Sequence, residues 1–216
     1  MALWRGHSPS DVASVSHADP RSQAERLPLE AVHWLSEQGT SLSELDAFAV
    51  VAGPGSFTGL RVGVAAIQGW AFAMSKPVIA VPTLDALASD RAVVGLRDVL
   101  VVPMIDGQRS EVFYSVWRDG VEVSPAAAVR PGEAIAAVAA GFPGAAVVVI
   151  GDGLTKYGAL VDAAGWSRRD MSAPLADAAV RLAAAGRYPS VMPHAVRPIY
   201  VRRPDAEVHR AEKTGK

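Results

Sequence analysis

Hydrophobic and polar residues follow one another along the chain in blocks of two kinds. Short runs rich in β-branched residues alternate with longer stretches rich in Ala and Leu, a pattern typical of a mixed sheet covered by helices. The blocks predict an α/β protein without internal repeats. The predicted strands are 12–17, 47–52, 78–81, 99–105, 111–117 and 146–150, and the predicted helices are 23–37, 59–74, 84–90, 133–139, 155–163 and 174–185.

Two of the predicted helices carry more apolar residues than a single core-facing stripe can hold. In the helix at 59–74, Arg61 and Gln68 are the polar positions beyond the first turn, and Gly59 and Gly63 lie four residues apart. A helix that is apolar nearly all round is rarely solvent-facing, and small residues on one side let another helix approach closely. The pattern leaves two interpretations open, a docking face for another subunit or two helices enclosed by the fold.

A glycine-rich loop at 53–59 joins a predicted strand to the second of these helices. Its glycines predict positive φ or close backbone approach, and Thr58 is the predicted N-cap, so the helix start offers N–H groups that attract anions. A Walker A loop needs Lys after its last glycine, where this chain has Leu60, and the dinucleotide fingerprint needs Gly where Thr58 stands. The residues favour a tight turn over a phosphate site.

Candidate catalytic and metal-binding groups are sparse. The five His residues stand singly, without the helical spacing that holds a metal, and Ser56 does not lie in a nucleophile elbow. Asp106 and Arg109 form either a functional pair or a charged hairpin turn, and 151–153 is either a strand-to-helix turn or part of a nucleotide cleft. We therefore predict no catalytic residue and no metal site.

Composition and net charge limit which kinds of partner and which cellular compartment fit the chain. The 216 residues are 50% hydrophobic and 20% charged, enough for a sizeable core. Lys and Arg (21) nearly balance Asp and Glu (22), so the net charge of −1 gives no general attraction to nucleic acid or to an anionic membrane. No Cys is present, and the start of the sequence lacks the basic and apolar regions of a secretory signal. We expect a cytoplasmic protein.

The glycine loop and the helix after it resemble the bacterial TsaB (YeaZ) family. The resemblance extends from about residue 12 to about residue 205. The matching segments are 24–27, 53–63, 69–73, 82–88, 106–109, 111–113, 151–153 and 198–204.

The resemblance implies the two-lobed fold of the actin, sugar kinase and Hsp70 superfamily. It predicts an N-terminal lobe at 1–90 and a C-terminal lobe at 91–203, followed by a solvated tail at 204–216 that is rich in charged residues. The sequence departs from the family at the end of the strand before 106–109: Gly107 and Gln108 differ from the family's Asp-Ala-Arg-Arg, while Asp106 and Arg109 match it. The family opens with a buried strand ending in Asp-Thr-Ser that this sequence does not show. We expect that the N-terminal lobe lacks a central strand and that an upstream stretch encodes it.

By resemblance, the chain is a non-catalytic subunit in the formation of threonylcarbamoyladenosine beside the tRNA anticodon. The implied partners are a TsaD-like catalytic subunit, a TsaE-like ATPase and a second TsaB copy, with tRNA reached only through the complex. No cofactor is assigned to this chain, and a nucleotide at the partner interface is left open. The implied interface residues are Leu27, Ala31, Trp34, Leu35, Leu60, Gly63, Val64, Ile67 and Trp70, and the glycine loop and nucleotide vicinity comprise Gly53, Gly55, Ser56, Thr58, Gly59, Arg61, Asp106 and Arg109. An ATPase or phosphotransferase of the same superfamily is the first alternative, and a peptidase is the second.

Overall fold

A computed structural model of the chain describes residues 1–6, 11–16 and 23–202. The strands are β1 (Ala2–Trp4), β2 (Val12–Ser14), β3 (Phe48–Gly53), β4 (Val78–Pro82), β5 (Val99–Asp106), β6 (Val112–Arg118), β7 (Val121–Val129), β8 (Ala146–Ile150), β9 (Ser167–Arg169) and β10 (Ser190–Val191). The helices are α1 (Gln23–Glu37), α2 (Phe57–Ala73), α3 (Thr83–Ala88), α4 (Pro131–Gly141), α5 (Gly153–Ala163) and α6 (Leu175–Ala184). The described residues therefore form the predicted α/β protein.

Two separate sheets belong to the N-terminal half of the chain. β1 and β2 pair antiparallel, with Leu3 opposite Ala13. β3 pairs parallel to β4, and β10 adds to the far side of β4 in the antiparallel direction. In the described part of the chain, β1 and β3 are therefore both edge strands.

One helix spans both of these sheets. α6 contacts β1 and β2 as well as β3 and β4, and its alanines Ala178, Ala179 and Ala183 are buried beside Val81. α1 and α2 pack on each other, and α2 covers β3. The two sheets are thus arranged as one layer beneath α6, with an open position between β1 and β3.

A five-stranded sheet forms the second half, in the order β7-β6-β5-β8-β9. β5 and β8 run parallel at its centre, where Leu100 pairs with Val147, and both are buried on their two faces as a parallel pair requires. α4 and α5 cover one face through Val138 and Val161. α3 covers the other face through Leu84 and Leu87, so the short helix after β4 links the two halves.

The structure confirms most of the predicted elements and corrects some boundaries. All six predicted strands and all six predicted helices are present, with ends that differ by a few residues. Four strands, β1, β7, β9 and β10, have no counterpart in the sequence prediction. The predicted strand 12–17 ends at Ser14, and its residue 17 lies outside the described residues, as does the predicted tail at 204–216.

The predicted lobe boundary stays a prediction, but the chain does not remain in its second half after residue 91. α6 and β10 both return to the sheets of the first half. Among the described helices, none combines the length and apolar character needed to cross a bilayer.

Candidate functional site

The glycine loop turns sharply at the end of β3. Gly53 has a φ of +120°, and a Cβ built there would overlap the carbonyl oxygen of Ile199. Only glycine accepts this backbone with so close a neighbour. Gly55 and Gly59 do not have positive φ, and a Cβ built at Gly55 would meet no atom within 4 Å while one built at Gly59 would meet only the Ser56 side chain, so the predicted positive φ or close backbone approach is found at Gly53 and not at these two positions.

Ser56, rather than the predicted Thr58, caps the helix that follows the loop. The Ser56 hydroxyl accepts a hydrogen bond from the Gly59 N–H at 3.3 Å, and α2 begins at Phe57. Ser56 and Thr58 are both exposed. The cap satisfies one of the free N–H groups of the first turn, so the helix start is an ordinary capped terminus.

Arg61 lies over an exposed aromatic pair at the start of α2. Its guanidinium carbon is 3.9 Å from the centre of the Phe57 ring, and its Nε lies 3.4 Å from the Tyr200 hydroxyl. The Phe57 and Tyr200 rings are 5.7 Å apart. The packing brings residues near the end of the described chain onto the glycine loop, a proximity that sequence reasoning missed.

Asp106 and Asp152 meet at the carboxyl ends of the parallel strands β5 and β8. The Asp106 N–H donates to Asp152 Oδ1 at 3.0 Å, and Lys156 Nζ lies 3.7 Å from Asp106 Oδ2. Partial burial, and then the charge of Asp106, raise the pKa of Asp152, while the hydrogen bonds it accepts lower it. Gly151 has a φ of +125° and packs against the Met104 carbonyl, so the 151–153 segment is a strand-to-helix turn with an acidic residue at the start of α5.

The hairpin after β5 has an uncommon backbone. Gln108, Arg109 and Ser110 have φ values of 58°, 53° and 61°, a run of three non-glycine residues in the left-handed region. Asp106 Oδ1 accepts from the Gln108 N–H at 3.0 Å and so holds the start of this turn. Asp106 therefore has a structural role in the hairpin that includes Arg109.

A short segment that we call the strap, residues 199–202, connects the glycine loop to this hairpin. The Ile199 N–H donates to the Ala52 carbonyl at 2.7 Å. At the other end, Arg202 donates to the Gly107 carbonyl at 3.0 Å, forms an ion pair with Glu111 and lies over the Phe113 ring. Three residue steps span at most about 11 Å. The predicted glycine-loop residues and the Asp106 hairpin therefore lie at the two ends of the strap.

The predicted interface residues divide between the interior and the surface. Ala31, Trp34, Leu35 and Val64 are buried within the cores beneath α1 and α2. Ile67 and Trp70 are partly buried against the core that contains Phe48. Leu27, Leu60 and Gly63 are also partly exposed.

Other apolar residues of α1 and α2 are exposed to solvent. Leu29 is 77% exposed and Phe72 is 80% exposed, and Val32, Ala65 and Gly69 are exposed as well. These five residues define what we call the helix stripe. Sequence reasoning identified the two helices but did not include these five residues, although spacing by three and four residues relates Ala65, Gly69 and Phe72 to one another.

The described His residues do not form a metal-binding or catalytic set. His33 is exposed and pairs with Glu37 at 3.2 Å, and His194 is exposed in a 3-10 helix. Among residues 1–6, 11–16 and 23–202 there is no group of three His, Asp or Glu that could hold a metal ion. The remaining three His residues lie outside the described ranges.

Comparison with known proteins identifies the family. The sequence model of the family described as "TsaD: tRNA N6-adenosine threonylcarbamoyltransferase" matches residues 18–150. A crystal structure of an uncharacterized Pseudomonas aeruginosa protein with similarity to peptidase YeaZ matches at a TM-score of 0.72 with 30% identity, covering 88% of this chain and 89% of that one. The chain belongs to the TsaB (YeaZ) family. Its fold is accordingly of the actin, sugar kinase and Hsp70 type.

Sequence relatives agree with this family. The Haemophilus influenzae tRNA threonylcarbamoyladenosine biosynthesis protein TsaB is 43% identical over 114 residues, covering 52% of this chain and 46% of that protein. An uncharacterized Mycobacterium leprae protein is 33% identical over 210 residues, covering 96% of this chain and 52% of that protein. The chain spans about half the length of the curated relatives it matches.

Proposed function

We propose that this chain is a non-catalytic subunit in the biosynthesis of tRNA threonylcarbamoyladenosine, and that it docks onto a TsaD-like catalytic subunit through the helix stripe. The observation that supports the proposal is the exposure of Leu29 and Phe72, two large apolar side chains on paired helices. Large exposed apolar side chains are a feature of interaction sites on soluble proteins, and these two lie on helices that pack on each other. The family membership supplies the class of partner.

The shape of α2 suits docking by another helix. Gly69 lies between Ala65 and Phe72 on the exposed side, and no atom lies within 4 Å of a Cβ built at Gly69. A partner helix can therefore approach the α2 backbone closely while Phe72 enters a pocket on the partner. Burial of one such Phe side chain contributes about 1.5–3 kcal/mol. The same stripe would serve a homodimer.

The charge balance of the chain supports tRNA contact through the complex rather than by this chain alone. With 21 basic against 22 acidic residues, the chain offers little counterion release on a phosphate backbone. A basic partner would have to hold the tRNA. Recruitment of a TsaE-like ATPase, and a nucleotide at the shared interface, belong to this proposal as further features of the assembly.

The test is docking to a TsaD-like subunit by isothermal titration calorimetry. Phe72→Asp and Leu29→Asp should each weaken binding at least tenfold, because a charge would be buried where an apolar side chain was accommodated. Leu160→Asp is the matched control, since Leu160 is 45% exposed on α5 and away from the stripe. These variants replace substitution of Trp34, whose burial would confound folding with docking.

The same samples test the absence of catalysis. The chain alone should neither hydrolyse ATP nor transfer a threonylcarbamoyl group to tRNA, whereas its mixture with the TsaD-like subunit should carry out the transfer once an activated threonylcarbamoyl donor and tRNA are supplied. Turnover by the chain alone would support the alternative of an ATPase or phosphotransferase. Wild-type affinity in a folded Phe72→Asp variant would overturn the docking face.

A further inference from the structure

Arg61 lies on the same side of α2 as the helix stripe. It is exposed, as are Ala65 and Phe72 further along the helix. With about 3.6 residues per turn, Ala65 and Phe72 lie about 40° and about 20° around the helix axis from Arg61. The helix rises about 16 Å between Arg61 and Phe72. One side of α2 therefore presents a large apolar side chain near its carboxyl end and a cation near its amino end.

The Arg61 guanidinium is oriented by two aromatic side chains. It lies over the Phe57 ring at 3.9 Å, and its Nε donates to the Tyr200 hydroxyl at 3.4 Å. Both rings are themselves exposed. Within the described part of the chain no carboxylate pairs with Arg61, so its two terminal nitrogens are left without a partner there. A guanidinium held in this way keeps the planar fork that binds a carboxylate through two parallel hydrogen bonds.

The charge of Arg61 contributes little to the stability of the isolated chain. α2 has no acidic residue in its first turn, and the helix dipole favours negative rather than positive charge at that end. Cation–π contacts at exposed sites are weak. Arginine and tyrosine are, however, enriched among the residues that contribute most to protein interfaces. An oriented, unpaired cation in line with the helix stripe therefore indicates recognition of an anionic group.

A second copy of the chain offers Arg61 no free carboxylate. α2 contains neither Asp nor Glu. Among the side chains of α1 that the structure describes, the carboxylates are those of Glu30 and Glu37, and they pair with Arg26 at 3.5 Å and with His33 at 3.2 Å. A guanidinium buried without a partner is costly. Packing of two copies through the stripe would therefore leave the charge of Arg61 unsatisfied, whereas a different partner with an acidic residue would satisfy it.

We propose that Arg61 determines the specificity of the helix stripe by binding a carboxylate of the TsaD-like partner, and that it thereby selects this partner over a second copy of the chain. The inference rests on the proposed docking through the helix stripe and adds the chemistry of one contact. The partner helix would carry an Asp or Glu about 16 Å along its axis from the residues that receive Phe72. Both terminal nitrogens of Arg61 would donate to that carboxylate.

The test measures affinity for the TsaD-like subunit of the same organism by isothermal titration calorimetry at about 50 mM and about 500 mM salt. Arg61→Met keeps the apolar stem and removes the charge. It should weaken binding at least tenfold at low salt and much less at high salt, because screening already weakens the ion pair of the unchanged chain. Arg169→Met is the matched control, since it removes the same charge from an exposed position on β9. It should bind as the unchanged chain does.

Two further measurements separate charge, geometry and self-association. Arg61→Lys keeps the charge and loses the planar fork, so it should keep the salt dependence and only part of the affinity. Sedimentation equilibrium of the chain alone should show that Arg61→Met associates with itself at least as strongly as the unchanged chain. Thermal unfolding should be the same for the three substituted chains and the unchanged one.

Comparison with Phe72→Asp distinguishes this inference from the docking face itself. Unchanged affinity and salt dependence in Arg61→Met, together with loss of binding in Phe72→Asp, would overturn the Arg61 contact and leave the docking face intact. Unchanged binding in both variants would overturn both proposals. Loss of binding in Arg61→Met alone would overturn the placement of this contact within the stripe.

Three other results would also overturn the proposal. The first is a loss in Arg61→Met that is equal at both salt concentrations, which would mean a packing contact. The second is a loss that appears only when tRNA or ATP is present, which would assign the guanidinium to a phosphate group. The third is weaker self-association of Arg61→Met, which would mean that the contact serves a second copy of the chain.

Discussion

At the residue scale, the two halves of the molecule have the same backbone feature, a glycine with positive φ where a parallel strand ends. Gly53 is the last residue of β3 and Gly151 follows β8, with φ values of +120° and +125°. Each packs against a carbonyl of a neighbouring segment, that of Ile199 in the first case and of Met104 in the second. The sequence predicted a turn at Gly53 and left 151–153 open between a turn and part of a nucleotide cleft; the carbonyls that the two glycines contact come from distant parts of the chain and left no local signal.

Gly53→Ala should destabilise the chain by about 2–4 kcal/mol, because the added Cβ meets the Ile199 carbonyl in a backbone region that L-residues avoid. Denaturant unfolding followed by circular dichroism measures this loss. Gly55→Ala is the matched control, since its φ is not positive and no atom lies within 4 Å of its Cβ. Equal stability of the two variants would contradict the assigned role of Gly53.

A second residue-scale prediction concerns the hydrogen bond from the Tyr188 hydroxyl to the Asp85 carboxylate, which ties α3 to the segment after α6. Burial raises the pKa of Asp85, and the bond from Tyr188 lowers it. Tyr188→Phe leaves the carboxylate without this donor and should cost about 1–3 kcal/mol at neutral pH.

The sign of the pH dependence follows from linkage. A carboxyl whose folded pKa is raised contributes stability below its unfolded pKa and loses that contribution as the pH rises through the folded pKa. Tyr188→Phe raises the pKa of Asp85 further, so the variant's deficit should be larger at pH about 7 than at pH about 4, near the ordinary pKa of Asp. Unfolding curves at both values measure it, with Tyr200→Phe as an exposed control. A deficit that does not change with pH would show that Asp85 ionisation is not involved.

At the scale of elements, the sequence predicted buried structure well and exposed or short structure poorly. β5 and β8 read as unbroken apolar runs because they are buried on both faces. β7 is an exposed edge strand that includes Pro125, and β10 has two residues, so neither carries the periodicity on which a prediction rests. For the candidate site, the apolar surplus of α1 and α2 left open whether they form an interface or are enclosed by the fold, because composition does not distinguish Trp34, which is buried, from Phe72, which is exposed.

The substitution Gly69→Leu should change the stability of the isolated chain and its affinity for a partner in opposite directions. Because the space beside Gly69 is open, the side chain fits the isolated chain, and the gain in helix propensity should stabilise it by about 0.5–1 kcal/mol. The same side chain would hold a partner helix away from the backbone, so affinity for a TsaD-like subunit should fall at least tenfold. Gly69→Ala should retain most of the stabilisation with a smaller loss of affinity. Thermal unfolding and calorimetric titration measure the two effects, and unchanged affinity in Gly69→Leu would exclude close helix approach at this point.

At the scale of the whole molecule, the chain order and the spatial order differ. α6 and β10 return to the first half after the five-stranded sheet is complete, and the strap then passes from the glycine loop to the β5–β6 hairpin. Sequence analysis placed all of 91–203 in the second lobe because no composition shift marks the return. The halves are thus connected by the covalent chain at α3 and again by noncovalent contacts of the strap.

The strap should make the two halves unfold together. Arg202 makes the contacts that hold the strap to the β5–β6 hairpin. It donates to the Gly107 carbonyl, forms an ion pair with Glu111 and lies over the Phe113 ring. Its guanidinium is only partly exposed, so replacement by Met removes charge-assisted bonds that are worth about 1.5–3 kcal/mol while keeping the apolar stem. We expect Arg202→Met to lower stability by about that amount and to speed hydrogen exchange in the β5–β6 hairpin more than in β3. Arg197→Met, at an exposed arginine that bonds to nearby backbone carbonyls, is the control.

A double variant, Arg202→Met with Glu111→Gln, should be less destabilised than the sum of the two single changes, because both remove the same ion pair. Full additivity, or exchange that quickens equally throughout the described chain, would mean that the strap does not couple the halves.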